Sequence, residues 1–167
     1  MLLYLTKQST DLPVDINEVK EHLHIEDTLD DTYIYSLIES AIAYIEQKTK
    51  RLLTKHYAQF LVEQASGEVY LPYGNIIVSA ARTEKGNLTA NADYVVPFLG
   101  SMVKFNKSHL NVTIDFDCGY QTIPADIKHA LLMIIGTMYE QRIDVTFGVQ
   151  SFKAHFSSEM LLARHKL

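Results

Sequence analysis

Apolar residues recur every three or four positions through the first third of the chain. They recur every two through the middle, and every three or four again after Gly119. Asp15 followed by Glu18 has the form of a capping box. Ile16, Val19 and Leu23 then share one helical face, which predicts a short helix ending near His24. Thr28 with Asp31 repeats the capping pattern. Ile34, Leu37, Ile38, Ala41, Ile42 and Ile45 form a stripe on a helix of about five turns, with Tyr33 and Tyr44 flanking it and Glu39, Glu46 and Lys50 off it.

From about residue 54 the period changes. Tyr57, Gln59 and Leu61 alternate with Ala58, Phe60 and Val62. Residues 69–71, 76–79, 94–96 and 102–105 are short β-prone runs punctuated by Pro72, Gly74, Gly86-Asn87 and Pro97. Val112, Ile114, Phe116 and Cys118 alternate with Thr113, Asp115 and Asp117, as in a half-buried strand. After Gly119, Pro124 and Asp126 suit a first helical turn. Ile127, Ala130, Leu131, Ile134 and Met138 make one stripe, and Leu132, Met133, Ile135 and Tyr139 fill most of the rest.

This pattern predicts an α+β fold. Two short-to-medium N-terminal helices and a long C-terminal helix (124–142) form a helical body, and a small antiparallel β lobe is inserted in it. The predicted divisions are 1–53, the N-terminal helical part; 54–118, the β lobe; 119–144, the helix completing the body; and 145–167, a tail. A helix apolar on nearly every side exceeds what one small domain can cover. Leu132, Ile135 and Tyr139 are therefore expected at a subunit interface. In the tail, Phe147, Phe152 and Phe156 lie among Gly, Ser and Lys, a composition that supports no core of its own.

Composition narrows the role. The chain has 167 residues, 47% of them hydrophobic, which argues for a folded protein. Fifteen Lys and Arg against twenty Asp and Glu give a net charge of −5, which disfavours a basic nucleic-acid binder. A single cysteine, Cys118, excludes an internal disulfide framework and a multi-cysteine metal site. Neither a leader pattern nor an apolar run long enough to span a membrane is visible. The expectation is a soluble, mildly acidic, intracellular protein.

Candidate chemistry is thin. Asp115 and Asp117, two apart on one strand face, could hold magnesium, but a third acid is not marked and an edge strand's solvated face explains them. His22 and His24 do not share a helical face and lack partners at zinc-ligand spacing. His129 reads as an interior or interface histidine, and Cys118 as a packed thiol. Phosphate-loop and nucleophile-elbow motifs are absent. Lys48, Lys50, Arg51 and Lys55 cluster at a helix end, where cations complement the dipole. No catalytic residue, cofactor or metal is assigned.

Several runs, taken in order, carry a resemblance. They are residues 14–25, beginning Val14-Asp15-Ile16-Asn17-Glu18-Val19 and leading into Glu26-Asp27 and Asp30-Asp31; Leu37-Ile38-Glu39-Ser40-Ala41; Ile45-Glu46-Gln47-Lys48-Thr49-Lys50-Arg51; Tyr94-Val95-Val96; Gly119-Tyr120 with Ile123-Pro124, Ile127-Lys128 and Ala130-Leu131-Leu132; and Tyr139-Glu140-Gln141-Arg142. Together they resemble the phage head–tail connector (adaptor) family, in which a glycine usually stands where this chain has Lys50. The resemblance implies a structural virion protein at the head–tail junction, in the host cytoplasm during assembly. It implies a homo-oligomeric ring, dodecameric on the virion, docked beneath the portal protein and offering a platform to a stopper or tail-completion protein. DNA would pass through its channel without sequence recognition, and no membrane is involved. The tail, through Phe147, Phe152, Phe156, Leu161, Leu162 and Arg164, would dock on the portal.

Three other readings remain open. One is a small metal-dependent nuclease using Asp115 and Asp117. Another is a different ring, a tail terminator or completion protein. The third is a DNA-binding regulator built on the first two helices, against which Glu39 and Glu46 count.

Overall fold

The computed structural model describes residues 2–7, 12–97, 101–141 and 157–166. The chain forms two compact units: Met1–Asp11 with Lys50–Gln121, and Leu12–Thr49 with Thr122–Leu167.

The first unit is a sheet. Its strands are β1 (Leu2–Lys7), β2 (His56–Tyr70), β3 (Ile77–Thr83), β4 (Gly86–Asn87), β5 (Tyr94–Val95) and β6 (Met102–Cys118). They pair antiparallel in the order β1-β2-β6-β3-β4, and β5 also pairs with β6. Ala58, Phe60 and Val62 of β2 meet Val112, Ile114, Phe116 and Cys118 of β6 in one hydrophobic cluster, which Val103, Phe105, Ala81 and Tyr94 extend. Burial of these alternate positions is the main stabilising term, at about 25 cal/mol per Å² of apolar surface.

This architecture corrects the expected fold class. The sheet is not a small lobe inserted in a helical body. It has six strands, and two of them run for 15 and 17 residues. The sequence breaks each long strand into shorter runs because the ladder slips register between Ala65 and Gly67, opposite Phe105 and His109. A bulge interrupts the period-two pattern on both partners. β1 was missed because Leu2 to Leu5 is uniformly apolar and does not alternate. It precedes the helices and pairs with β2, so the first two helices are the insertion and the sheet is their host in sequence.

The second unit is helical: α1 (Ile16–Leu23), α2 (Asp31–Thr49), α3 (Ala125–Glu140) and α4 (Ser158–Ala163). Asp15 caps α1 by accepting from Asn17 N–H. Glu18 does not close a capping box; it pairs with Lys128 of α3 at 2.6 Å. α1 stops where His24 turns left-handed and the Ile25 amide returns to the Lys20 carbonyl. Val19, Ile34, Ile38, Ala41, Ile45, Ile127, Ala130, Leu131 and Ile135 are fully buried. The expected long C-terminal helix is also corrected. α3 has 16 residues against 19 for α2, and the short α4 follows. Among the described residues no helix is long and apolar enough to cross a membrane.

Lys50 follows α2 with φ of 56°, a left-handed conformation that a side chain resists. This is the position at which the resemblance calls for glycine. Lys50→Gly is expected to raise stability by about 1 kcal/mol, a rise of roughly 2–4 °C in Tm by calorimetry. An unchanged or lower Tm would show that the left-handed turn carries no strain.

Candidate functional site

Asp115 is the most constrained polar residue of the sheet. Residues 112, 114, 116 and 118 face the core, so 113, 115 and 117 face the other way. β6 lies between β2 and β3, so this is the middle of the sheet and not the solvated face of an edge strand. Gln59 stands opposite Asp115, with Tyr57 and Arg82 two positions away in register on the flanking strands. The Tyr57 hydroxyl and the Gln59 Nε2 each donate to Asp115 Oδ1 at 2.7 Å, and Arg82 Nη2 donates to it at 3.1 Å. These side chains leave Asp115 2% exposed. Charge-assisted bonds of this kind are worth about 1.5–3 kcal/mol each, so one carboxylate ties three strands together. The hydrogen bond to the Asp115 carboxylate, followed by burial, raises the pKa of Tyr57.

That arrangement does not favour metal chemistry. Three donors converge on Oδ1, and Oδ2 accepts no hydrogen bond from the described residues. Asp117 sits 3.8 Å from Lys55 Nζ. Among the described residues no three His, Cys, Asp or Glu side chains gather as a metal site. Cys118 is buried. His22, His24 and His129 are exposed, so the interior placement expected of His129 is corrected.

The expected interface residues lie in the helical unit. Ile135 is fully buried among its helices, while Leu132 and Tyr139 are half-buried. Tyr139 donates to Asp30 Oδ2 at 2.6 Å. Ile135 is therefore a core residue of the subunit and offers no surface to a neighbour. Gly136 faces α1, where an added Cβ would meet Leu23 Cδ2 at 3.6 Å. What approaches the glycine is a side chain and not a second backbone.

Of the expected docking residues, Phe147, Phe152 and Phe156 lie outside the described residues. Leu161, Leu162 and Arg164 belong to α4 and its end. Ser157 caps that helix, and Leu162 is 1% exposed. His165 lies 2.8 Å from Asp126 Oδ2 at the start of α3, and Arg164 lies 3.5 Å from the same oxygen. The His165 hydrogen bond lowers the pKa of Asp126 below its ordinary value. A groove of about 200 Å³ opens beside Tyr44, Ile134, Thr137, Met138 and Ser158. On the sheet, a groove of about 410 Å³ is lined by Leu2, Leu61, Arg82 and Thr113 among others.

The features of these units are packing faces, grooves and a structural ion network, those of an assembly protein. Residues 14–159 match the head completion protein family, and the chain belongs to that family. Its role is that of a structural protein of the head–tail connection. The fold is similar to a chain in the neck of an empty gene transfer agent particle computed with C6 symmetry, at 19% identity and a TM-score of 0.72, over 98% of this chain and 95% of that one. A chain of the native gene transfer agent virion matches at 20% identity and 0.70, over 97% and 94%. A chain in the native neck computed with C12 symmetry matches at 22% and 0.69, over 98% and 94%. No curated protein matches the sequence.

Proposed function

We propose that the protein forms a homo-oligomeric ring at the junction of head and tail, beneath the portal, that continues the DNA channel and receives the tail-side proteins. The observation that carries this is the family match over residues 14–159. The likeness to chains of particle necks treated with C6 and C12 symmetry supports a ring of identical copies, six or twelve to a turn. Its work is mechanical and not catalytic: the best-built polar cluster, around Asp115, binds strands to each other. Phe147, Phe152, Phe156 and the exposed Arg164 are the groups we assign to the portal. Leu132 and Tyr139, half-buried on α3, are the groups we assign to the contact with a neighbouring copy.

The test is assembly on portal-bearing heads that lack this protein. Purified subunit added to them is expected to complete a ring beneath the portal, visible by electron microscopy and countable by native mass. Heads that gain no such ring at saturating subunit would overturn the reading.

A further inference from the structure

Two exposed corners of the subunit carry opposite charge, and each displays one aliphatic side chain to water. The first is the loop between α1 and α2. From residue 21 to residue 31 there are five acids and no Lys or Arg. Two acids have work inside the unit: Asp30 accepts from Tyr139, and Asp31 pairs with Lys20 at 2.8 Å. Glu21, Glu26 and Asp27 are exposed. The loop is pinned, because the Leu29 amide donates to Asp27 Oδ1 at 3.1 Å and the Asp31 amide returns to the Thr28 carbonyl. The pinned loop holds Leu29 89% exposed. A large apolar side chain held rigidly in water is arranged for burial against something else, and its rigidity lowers the entropic cost of docking.

The second corner gathers residues that the sequence scatters. The Lys50 carbonyl accepts from the Gly74 amide at 3.0 Å, and Arg51 Nη1 donates to Asn75 Oδ1 at 3.3 Å. Lys55 reaches toward Asp117, and Ile77 stands opposite Asp117 on β3. Lys50, Arg51 and Lys55 thus lie at the strand end that carries Ile77, which is 72% exposed. The dipole of α2 accounts for Lys48 but not for three cations beside an exposed isoleucine.

In sequence the acidic corner precedes the 19-residue helix α2 and the basic corner begins at the residue after it. We propose that the Leu29 corner of one copy docks on the Ile77 corner of the next. The proposal rests on the ring reading above and names its contact. Like corners repel, so a two-fold self-contact is disfavoured. Unlike patches joined head to tail give a heterologous interface, which propagates from copy to copy and forms a ring when the rotation per copy closes. Opposite potentials steer the encounter and fix its register.

Charge reversal tests the contact. Glu26→Lys with Asp27→Lys, and Arg51→Glu with Lys55→Glu, should each weaken ring formation on portal-bearing heads about tenfold or more. Combining all four should restore it to within a few-fold. Independently, Leu29→Cys and Ile77→Cys in one chain, treated with a short bis-maleimide linker, should give a ladder of cross-linked oligomers. Either cysteine alone should give none, since Cys118 is buried. Both exposed positions tolerate substitution, so this arm holds even if a charge variant folds poorly. A wild-type ring with no ladder, and with charge variants that assemble normally, overturns the contact and leaves the ring standing. A basic-corner variant that assembles normally yet loses salt-sensitive retention of double-stranded DNA assigns that corner to DNA and overturns it too. Failure of the wild type to form any ring removes both readings.

Discussion

Gly119→Ala is expected to abolish accumulation of folded protein. Gly119 has φ of 95°, where an L side chain is strained, and an added Cβ would lie 2.0 Å from the Thr54 carbonyl oxygen and 3.2 Å from that of Leu52. Both obstacles are backbone, so no rotamer change relieves them. The crossing is fixed from both sides: Tyr120 N–H donates to Leu52 O at 3.2 Å, and Cys118 pairs with His56 at the end of the ladder. Moving the 52–54 turn away would pull the start of β2 off the centre of the sheet. The strain of the positive φ alone costs about 1–2 kcal/mol, and displacing the backbone adds at least as much. Against a total stability of about 5–15 kcal/mol, a loss of 3 or more leaves little margin. Gly67→Ala is the control: its φ is 64° but nothing lies within 4 Å of the added Cβ, so only the conformational cost of about 1 kcal/mol applies. Urea denaturation of the two variants beside the wild type checks the ranking. A Gly119→Ala protein as stable as Gly67→Ala would refute the close crossing.

That crossing also gives a physical reason for the glycine in the Gly119-Tyr120 run of the resemblance. The sequence shows a glycine at a strand end; only the ladder shows which backbone passes beneath it. The same limit recurs elsewhere. The stripes at 34–45 and 127–138 were legible because a helix is local and its period survives in sequence. The sheet was not, because pairing is non-local. Alternation placed Asp115 on a face, but whether β6 is central or an edge depends on β2, more than fifty residues earlier, and on β3. The basic cluster after α2 was visible as residues, yet Ile77 joins it only through strand register. α4 carries only a weak local signal, Ser157 as a cap with Glu159 in the first turn. Six residues are too few for a stripe, and the surrounding Phe, Gly and Ser made the whole tail read as a docking segment.

Removing residues 158–167 is expected to destabilise the helical unit, in place of the unchanged melting that a free tail would show. Leu162 is 1% exposed, so its loss forfeits the burial of a full leucine and opens the face of α3 it covers. Leu→Ala at such sites costs about 2–5 kcal/mol, and deletion of the whole helix should cost no less. Leu162→Ala should reproduce most of the effect. Arg164→Ala should not, because its side chain is 76% exposed and a surface pair of this kind is worth about 0–1 kcal/mol. The seat also has a pH signature. Asp126 is held below its ordinary pKa of 3.8, chiefly by the His165 hydrogen bond. A depressed carboxylate contributes stability above its unfolded value, and that contribution disappears as pH falls through the folded value. The full-length protein should therefore lose stability below about pH 4 more steeply than the 1–157 truncation, which lacks His165. Thermal melts of both chains across pH 2–7 make the comparison. Equal Tm at pH 7, or parallel acid profiles, would show that α4 is not part of the folded core and would return it to the portal-docking tail.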